Sequence, residues 1–510
     1  GYYLSDTAYN IDVLLQYLSE RLPDYMVPST LVHITSIPLT VNGKVDYKAL
    51  PEPEIQLNTH YVLPDNETEK RLCEIYGEVL GFSPDSISVL ESFFKLGGDS
   101  IRGIQLVSKI RQQLGIYIGV KDLYKYNTIR SLSKELIKAS FDEKELKTEQ
   151  GILEGDVKLL PIQEWFFSNV DKKLLPEYNH WNQSFMLSVP QLDINLLYES
   201  IKKLTIYHDA FRLVYKREAH NKYEQSYQKA LADINFDHLD ISTLSDAKEL
   251  DTILTRWQSK FDIYSTPLFH IGYLYGYEDN TARIHISVHH LIIDAVSWRI
   301  IKTDLHRIYS YLLTESENGN TALDPISVSD ILGTKRSSYR QWTETISEYK
   351  KNDIKALDQE VQYWDSVTDG VVDYNRLWLA KQVEKPNHIK ISLGCEIAKR
   401  IQKASVHNVY NTQVNDLLLA ALTLTLSDIT KSNEHYVTLE GHGREAISDD
   451  IDINNTVGWF TSLYPVRLST FDGGDAKASV ISVKDTLNRM PEHGIGYGAI
   501  NGYIKQELPV

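Results

Sequence analysis

The spacing of apolar residues predicts a short α/β unit at the start of the chain. Over residues 12–22, apolar side chains recur every three or four positions, which predicts a helix that Pro23 ends. Residues 31–34 (LVHI) include the β-branched residues Val32 and Ile34, and they predict a strand. The Asn42-Gly43 pair between apolar residues is typical of a tight hairpin. We expect this unit to extend to about residue 55 and to end in a linker that contains Pro51 and Pro53.

A small helical bundle is predicted next. Asn66 and Glu69 have the spacing of a capping box, and one apolar face continues from there to Gly81, which ends the helix. A second helix begins near Ser100, and a last one follows Thr128 as its N-cap. The charged stretch after this bundle contains few large apolar residues and is interpreted as a linker.

From about residue 159 onward, strand-like runs alternate with helical ones. This alternation predicts a large α/β or α+β unit. The sequence of this unit shows no internal repeat. Strands are expected at 185–189, 284–288 and 389–393, and helices at 192–207 and 414–426.

Composition narrows the class of protein. A chain of 510 residues with 42% hydrophobic and 24% charged residues is typical of soluble globular protein with several domains. The net charge of −16 argues against a nucleic-acid partner, and no apolar run is long enough for a membrane span. Only Cys73 and Cys395 occur, so no disulfide framework is predicted and a reducing cytoplasm fits. The ends at Gly1 and Val510 suggest a piece of a longer protein.

Residues 96–101 (LGGDSI) place Ser100 at the start of a predicted helix. Two glycines allow a sharp turn, Asp99 can cap the helix, and a helix N-terminus favours a phosphodiester on the serine oxygen. Alone, this motif is an ordinary helix cap. Together with the upstream Phe93 and the surrounding bundle, it resembles a peptidyl carrier domain. The resemblance implies a 4′-phosphopantetheine arm on Ser100, and Asp99 resembles the residue found in carriers that serve epimerization domains.

Residues 22–28 (LPDYMVP) and 37–46 (IPLTVNGKVD) resemble the end of an amino-acid adenylation domain. The resemblance implies that Lys44 contacts the acyl-adenylate, where an ammonium group can offset developing negative charge. Taken alone, Lys44 is a solvated lysine at a hairpin tip. ATP and magnesium would belong to the adenylation core, which residues 1–55 do not include. We therefore expect this unit to adenylate nothing by itself.

Residues 289–298 (HHLIIDAVSW) follow a predicted strand. A single histidine at a strand end is usually structural, but this composite resembles the superfamily of condensation and epimerization domains. The resemblance implies that His290 is an acid/base group, with His289 and Asp294 in supporting roles and Asp294 as an ion-pair partner. An imidazole suits proton transfer near pH 7.

Four further segments resemble an epimerization domain in particular. They are residues 161–166 (PIQEWF), 440–445 (EGHGRE), 456–465 (TVGWFTSLYP) and 491–498 (PEHGIGYG). Inversion of an α-carbon requires a proton to leave one face and another to arrive on the opposite face. His290 and Glu440 are therefore expected to act as the pair of acid/base groups, with no metal centre.

Two positions depart from the family's pattern. Asn455 stands where an arginine is usual, so Asp294 is expected to lack its ion pair, and Ala295 replaces the commonest glycine. The family's last motif would lie beyond Val510.

The expected fold class is multi-domain α/β. It comprises a small α/β adenylation piece, a four-helix carrier and a two-lobed epimerization domain resembling chloramphenicol acetyltransferase, with a channel between the lobes. The expected boundaries are 1–55 for the adenylation piece, 62–140 for the carrier, 141–156 for the linker and 157–510 for the epimerization domain (lobes 157–330 and 335–510).

The resemblance implies an epimerase that converts the L to the D centre of an aminoacyl or peptidyl thioester held on the carrier. The implied partners are an upstream adenylation core, a phosphopantetheinyl transferase and a downstream condensation domain. Two alternatives stay open. One is a condensation domain that forms peptide bonds, which the segments at 161–166 and 440–445 disfavour. The other is a non-catalytic carrier platform with an inactive epimerase lobe, which Asn455 keeps open.

Overall fold

A computed structural model describes most of the chain. The described residues are 2–5, 9, 11–19, 28, 31–36, 38, 50–51, 62–93, 96, 98, 100–114, 118, 120–139, 146–219, 222–229, 233–320, 326–379, 390–402, 412–470 and 475–503. The chain divides into two compact units. The first unit comprises Gly1–Glu143, Arg376–Val437 and Val466–Met490, and the second comprises Lys144–Asn375, Thr438–Pro465 and Pro491–Val510.

The start of the first unit contains the predicted strand. Strand β2 (Val32–Ile34) pairs in parallel with β1 (Tyr2–Leu4), and helix α1 (Ile11–Ser19) lies between them in sequence. The hairpin predicted at Asn42 and the end of the helix at Pro23 lie outside the described residues.

Helices α2 (Glu67–Leu80), α3 (Ser100–Leu114) and α5 (Ile129–Ala139) follow where the apolar spacing predicts them. Helix α4 (Val120–Lys125), between α3 and α5, was not located from the apolar spacing. Their apolar faces enclose one core, which includes Leu72, Ile75, Tyr76, Phe93, Leu106, Ile110 and Leu132.

The ends of these helices show how the local sequence determines the boundaries. Asn66 caps α2 by accepting the amide of Glu69 at 2.8 Å, and Gly81 ends the helix in a left-handed conformation, as predicted. The reciprocal half of the capping box differs by one residue, because the Glu69 carboxylate accepts the amide of Asp65. That carboxylate also binds Arg130, so α2 and α5 are joined by an ion pair.

Two sheets form the main frame of the second unit. The larger has the strand order β4-β9-β8-β7, and the smaller has the order β3-β6-β5. Within the larger sheet, only the β7–β8 pair is parallel. The strands are β3 (Gly155–Val157), β4 (Asn182–Pro190), β5 (Leu213–Arg217), β6 (Tyr223–Tyr227), β7 (Phe236–Asp240), β8 (Phe269–Tyr275) and β9 (Thr281–His289).

Helices alternate with these strands along the chain and continue after β9. The long helix α9 (Ala295–Glu317) follows β9 after a short turn, and this order places the N-terminus of α9 near the paired histidines in the sequence. The helices are α6 (Pro161–Asp171), α7 (Ile194–Tyr207), α8 (Ala247–Gln258), α9 (Ala295–Glu317), α10 (Val328–Leu332), α11 (Tyr339–Ser347), α12 (Ile354–Thr368) and α13 (Val371–Leu379).

The remaining elements come from the last 120 or so residues. Strands β10 (Glu434–Gly441) and β11 (Ser462–Ser469) pair with each other. The helices are α14 (Cys395–Gln402), α15 (Val414–Thr430), α16 (Ala476–Asn488) and α17 (Ile495–Asn501). Among the helices that the structure describes, none has the length and apolar content needed to cross a bilayer.

Most of the predicted elements of the larger unit are confirmed, and one is wrong. The strands at 185–189 and 284–288 and the helix at 414–426 lie within β4, β9 and α15. The helix at 192–207 corresponds to α7, which begins at Ile194 after Asp193 as its N-cap. The strand predicted at 389–393 does not form over its described part, 390–393. Its apolar side chains, Ile391 and Leu393, are 82% and 58% exposed, so no neighbouring sheet or core stabilises a strand there.

The described part of the predicted linker, from residue 146 on, is bound to the second unit. Lys147 pairs with Asp450 at 2.8 Å, and Gln150 exchanges two hydrogen bonds with the backbone of Lys335. Glu149 pairs with Arg340 on α11 at 2.5 Å. This segment is therefore not a free linker despite its charged composition, because its charged side chains form ion pairs with the surface along which it runs.

Candidate active site

The paired histidines lie where β9 leaves the four-stranded sheet. His289 is fully buried; its Nε2 donates to the carbonyl of Tyr178 at 2.8 Å, and its Nδ1 accepts the amide of Leu291 at 3.2 Å. Burial lowers the pKa of His289 to about 4, so the ring is neutral near pH 7. Both ring nitrogens are engaged, and this geometry suits a residue that holds the segment in place.

His290 has a different environment. Its Nε2 lies 2.8 Å from the side-chain nitrogen of Gln183 on β4, and its ring packs against Trp459 with the ring centroids 4.7 Å apart. Burial lowers the pKa of His290, while its own backbone and the charges of Glu440 and Asp294 oppose this shift. The net effect favours a neutral imidazole near pH 7, which is the form that accepts a proton.

Glu440 lies near the end of β10, and its side chain is exposed. It belongs to the second unit together with His290, and its charge acts on that ring. The loop that follows turns sharply at Gly443, where φ is +65° and an added Cβ would come within 1.7 Å of the Phe460 carbonyl oxygen. Only glycine fits there, so the Gly-x-Gly spacing allows the loop to lie against the segment that includes Trp459 and Phe460.

Asp294 has an ion-pair partner, which corrects the expectation drawn from Asn455. Nη2 of Arg444 lies 3.1 Å from both carboxylate oxygens of Asp294, and the two side chains are 0% and 4% exposed. The carboxylate also accepts the backbone amides of Ser297 and Phe460, at 2.7 and 3.2 Å. The sequence interpretation failed because it assigned the partner by position in a motif, whereas the fold supplies the cation from a different loop.

Arg444 connects several of the motif segments. Its guanidinium donates to the carbonyls of Ile453 and Thr456, both at 2.8 Å, and lies 3.9 Å from the Phe460 ring centroid. Ser297 continues this network, since its hydroxyl donates to the Gly458 carbonyl at 3.0 Å. The loop at 440–445 and the segment at 456–465 are thus both held against the start of α9.

This network leads to a prediction for position 455. Because Arg444 already neutralises Asp294, the Asn455→Arg variant should gain no stability, and its melting temperature should equal or fall below that of the wild type. Differential scanning calorimetry measures this directly. A rise of several degrees would mean that the Asp294 charge is still poorly compensated in the native protein.

The segment at 161–166 helps to hold the paired histidines in position. Gln163 is fully buried, and its amide bridges the hydroxyl of Tyr215 and the side chain of Gln225 at 3.1 and 3.0 Å. Tyr215 donates in turn to the carbonyl of Leu291 at 3.0 Å. Phe166 packs edge-on against His289. The segment therefore fixes the backbone on either side of His290.

The last motif segment binds the loop that follows Glu440. Nδ1 of His493 lies 3.0 Å from one carboxylate oxygen of Glu445, and Nε2 of His442 lies 3.5 Å from the other. Burial lowers the pKa of His442, and the charge of Glu445 opposes this shift. Gly494 packs against the ring of Tyr464, where an added Cβ would come within 2.3 Å.

The structure places Ser100 at the first residue of α3, as the sequence predicts. The turn before it is tight: the amide of Gly98 donates to the Phe93 carbonyl at 2.9 Å, and a Cβ on Gly98 would come within 2.3 Å of the buried Phe93 ring. Asp99 and Lys44 lie outside the described residues. A serine at the start of a 15-residue helix, after a turn that only glycine fits, suits the attachment of a phosphodiester.

Two family models match the chain. The model described as a condensation domain matches residues 153–508, and the model described as a phosphopantetheine attachment site matches residues 70–136. The first match spans more than half of the sequence. The chain therefore belongs to the condensation-domain family.

Curated relatives make this assignment more specific. The chain is 34% identical to N-(5-amino-5-carboxypentanoyl)-L-cysteinyl-D-valine synthase of Penicillium rubens, over 100% of the chain and 13% of that protein. It is 35% identical to bacitracin synthase 2 of Bacillus licheniformis, over 100% of the chain and 19% of that protein. The chain thus spans less than a fifth of these relatives. With its two domains, it is non-ribosomal peptide synthetase sequence, and its carrier domain holds a covalent 4′-phosphopantetheine.

A solved structure is similar over most of this chain. It is the epimerization domain from the third module of tyrocidine synthetase B, with a TM-score of 0.56 and 29% sequence identity. The similarity covers 72% of this chain and 77% of that one.

Proposed function

We propose that the condensation-type domain of this chain is an epimerase. Its substrate is an aminoacyl or peptidyl thioester on the phosphopantetheine of Ser100, and the reaction inverts the α-carbon from L to D. The observation that carries this proposal is that two acid/base groups, His290 and Glu440, come from distant segments of the second unit, and the charge of Glu440 acts on the His290 ring. Similarity to the tyrocidine epimerization domain supports it.

The chemistry matches these two groups. A thioester acidifies the α-proton, and the neutral imidazole of His290 can take this proton while the electron pair stays on the substrate. Glu440 is exposed and comes from a separate strand, so it can serve the opposite face of the α-carbon. Return of a proton by the second group completes the inversion, and the same pair works in reverse with the roles exchanged.

The ordered network around the histidines argues against an inactive platform. Asp294 is neutralised by Arg444, and His289 makes two hydrogen bonds. We also propose the domain boundaries that the sequence predicts. Residues 1–55, which include Lys44, are then the end of an adenylation domain. The adenylation core, phosphopantetheinyl transferase and downstream condensation domain are the proposed partners.

The test is solvent exchange at the α-carbon. The carrier is loaded from L-valyl-, L-leucyl- or L-phenylalanyl-coenzyme A by a broad-specificity transferase and incubated in deuterated buffer, and the released amino acid is analysed for chirality and deuterium. An epimerase yields D product with one deuterium. Peptide-bond formation with a second loaded carrier, without exchange, identifies a condensation domain, whereas neither reaction identifies an inactive platform.

The attachment site gives a separate prediction. Incubation with coenzyme A and the transferase should raise the intact mass by one phosphopantetheine arm, and Ser100→Ala should abolish this increase. Ser131→Ala, on α5 of the same domain, is a matched control that should be loaded like the wild type. Loading of the Ser100→Ala variant would show that the arm is attached elsewhere.

A further inference from the structure

A chain of two hydrogen bonds leads from the start of α9 to the ring of His290. The indole nitrogen of Trp298 lies 2.7 Å from Oε1 of Gln183, and Nε2 of Gln183 lies 2.8 Å from Nε2 of His290. Gln183 had no role in the sequence prediction, because a polar residue within a strand carries no catalytic signal of its own. Its position beside His290 arises only from the pairing of β4 with β9.

The direction of these hydrogen bonds follows from the chemistry of their partners. An indole N–H can only donate, so the Gln183 atom that faces Trp298 must be the amide oxygen. The amide nitrogen of Gln183 therefore faces His290, and it can only donate to a ring nitrogen that carries a lone pair. The neutral ring must then have its proton on Nδ1 and its lone pair on Nε2.

This arrangement opposes protonation of His290 at Nε2. An imidazolium carries a proton on both nitrogens, so its Nε2–H would face the N–H of Gln183, donor against donor. The amide could turn to present its oxygen, but the turn would break the bond from Trp298. Trp298 also stacks on Phe185, with the ring centroids 5.8 Å apart, which holds the indole in this orientation.

The other charged or titratable groups around His290 do not override the effect of Gln183 on its protonation. Burial keeps His289 neutral near pH 7, and the Asp294 carboxylate is neutralised by Arg444. The charges of Glu440 and Asp294 both act on the ring, but Glu440 is exposed to solvent and Asp294 is paired with Arg444. The hydrogen-bond partner at Nε2 therefore acts together with burial on the protonation state of His290.

We propose that Gln183, held by Trp298, is a positioning residue that keeps His290 as the neutral Nδ1–H tautomer with its lone pair at Nε2. It thereby sets the pH range in which His290 can take the α-proton, and this consequence rests on the proposed epimerization. When the proton passes from the α-carbon to Nε2, the electron pair stays on the substrate, and the Gln183 amide must turn or withdraw.

The decisive variant is Gln183→Glu. A carboxylate accepts from both Trp298 and a protonated Nε2, so it stabilises the imidazolium and should raise the pKa of His290 by about 1–3 units. His290 acts as a base only when neutral, so its proton abstraction is lost as the pH falls through its pKa. In the variant, this loss should begin at a pH higher by the same amount. In the reverse direction, where His290 donates, activity should persist to higher pH.

Two further variants separate positioning from a merely structural role. Trp298→Phe keeps an aromatic ring but releases the amide, so the pKa of His290 should rise here too, by less than in Gln183→Glu. Gln191→Glu places the same charge change on an exposed residue just beyond β4 and is the matched control, which should leave the pKa of His290 unchanged.

The measurement is NMR titration of histidines labelled in the ring, with the His290 signal assigned by its loss in His290→Ala. The pH profile of α-proton exchange gives the second readout. An unshifted His290 titration in both Gln183→Glu and Trp298→Phe would overturn the inference. The titration needs no turnover, so a shifted signal in a protein that never exchanges α-protons would sustain the positioning role and reject the epimerase.

Discussion

The His290→Ala variant is expected to lose α-proton exchange on the loaded carrier by about 10²–10⁴-fold, the usual cost of removing a general acid/base group. Alanine leaves the site without a proton acceptor where the ring now lies, between Gln183 and Trp459. Loading of Ser100 should continue at the wild-type rate, because the carrier has its own core. Rapid-quench chiral analysis of the released amino acid measures the loss.

Glu440→Gln is the companion variant, because it keeps the size of the side chain but removes its basicity. If the two groups serve opposite faces, exchange from L and from D substrates should be slowed unequally. Glu434→Gln, at the other end of β10, is the matched control and should leave both rates unchanged. Exchange in His290→Ala at the wild-type rate would refute the proposed mechanism.

Removal of the Arg444 charge is expected to have the largest effect on stability. In Arg444→Met the Asp294 carboxylate stays buried without its cation, and breaking such a pair typically costs about 3–5 kcal/mol. The carbonyls of Ile453 and Thr456 lose their donor as well. Urea denaturation followed by tryptophan fluorescence should show this loss in the transition of the second unit.

A double variant distinguishes the lost charge from lost packing. Asp294→Asn should destabilise the wild type but stabilise Arg444→Met, because it removes the uncompensated carboxylate. Arg299→Met, on the exposed face of α9, is the matched arginine control and should change the free energy of unfolding by about 0.5 kcal/mol or less. If Asp294→Asn destabilises both backgrounds equally, the two residues are not coupled.

The sequence by itself determined much of the local structure. Helical spacing of apolar residues predicted α2, α3 and α5 of the carrier, and Asn66 and Gly81 mark the two ends of α2. These predictions succeeded because helix periodicity and capping depend on neighbours within a few residues. The same logic failed at 390–393, where apolar residues in a strand-like run had no sheet to join.

The sequence predicted only some of the residues that form the site. Motif resemblance pointed to His290 and Glu440, and the structure places both in one unit. Motif resemblance could not identify Arg444 as the partner of Asp294, because the ion pair joins residues 150 positions apart. The charged segment after the carrier gave a similar result, since its ion pairs with Arg340 and Asp450 depend on where those residues lie in the fold.

The sequence therefore predicted local structure, including the helix that starts at Ser100 and the strand that ends at His289. The tertiary structure alone decided which groups face one another. Strand pairing puts Gln183 beside His290, and the turn at Gly443 brings Arg444 to Asp294. Long-range hydrogen bonds and buried ion pairs depend on distances that only the folded chain defines, so no pattern of neighbouring residues could reveal them.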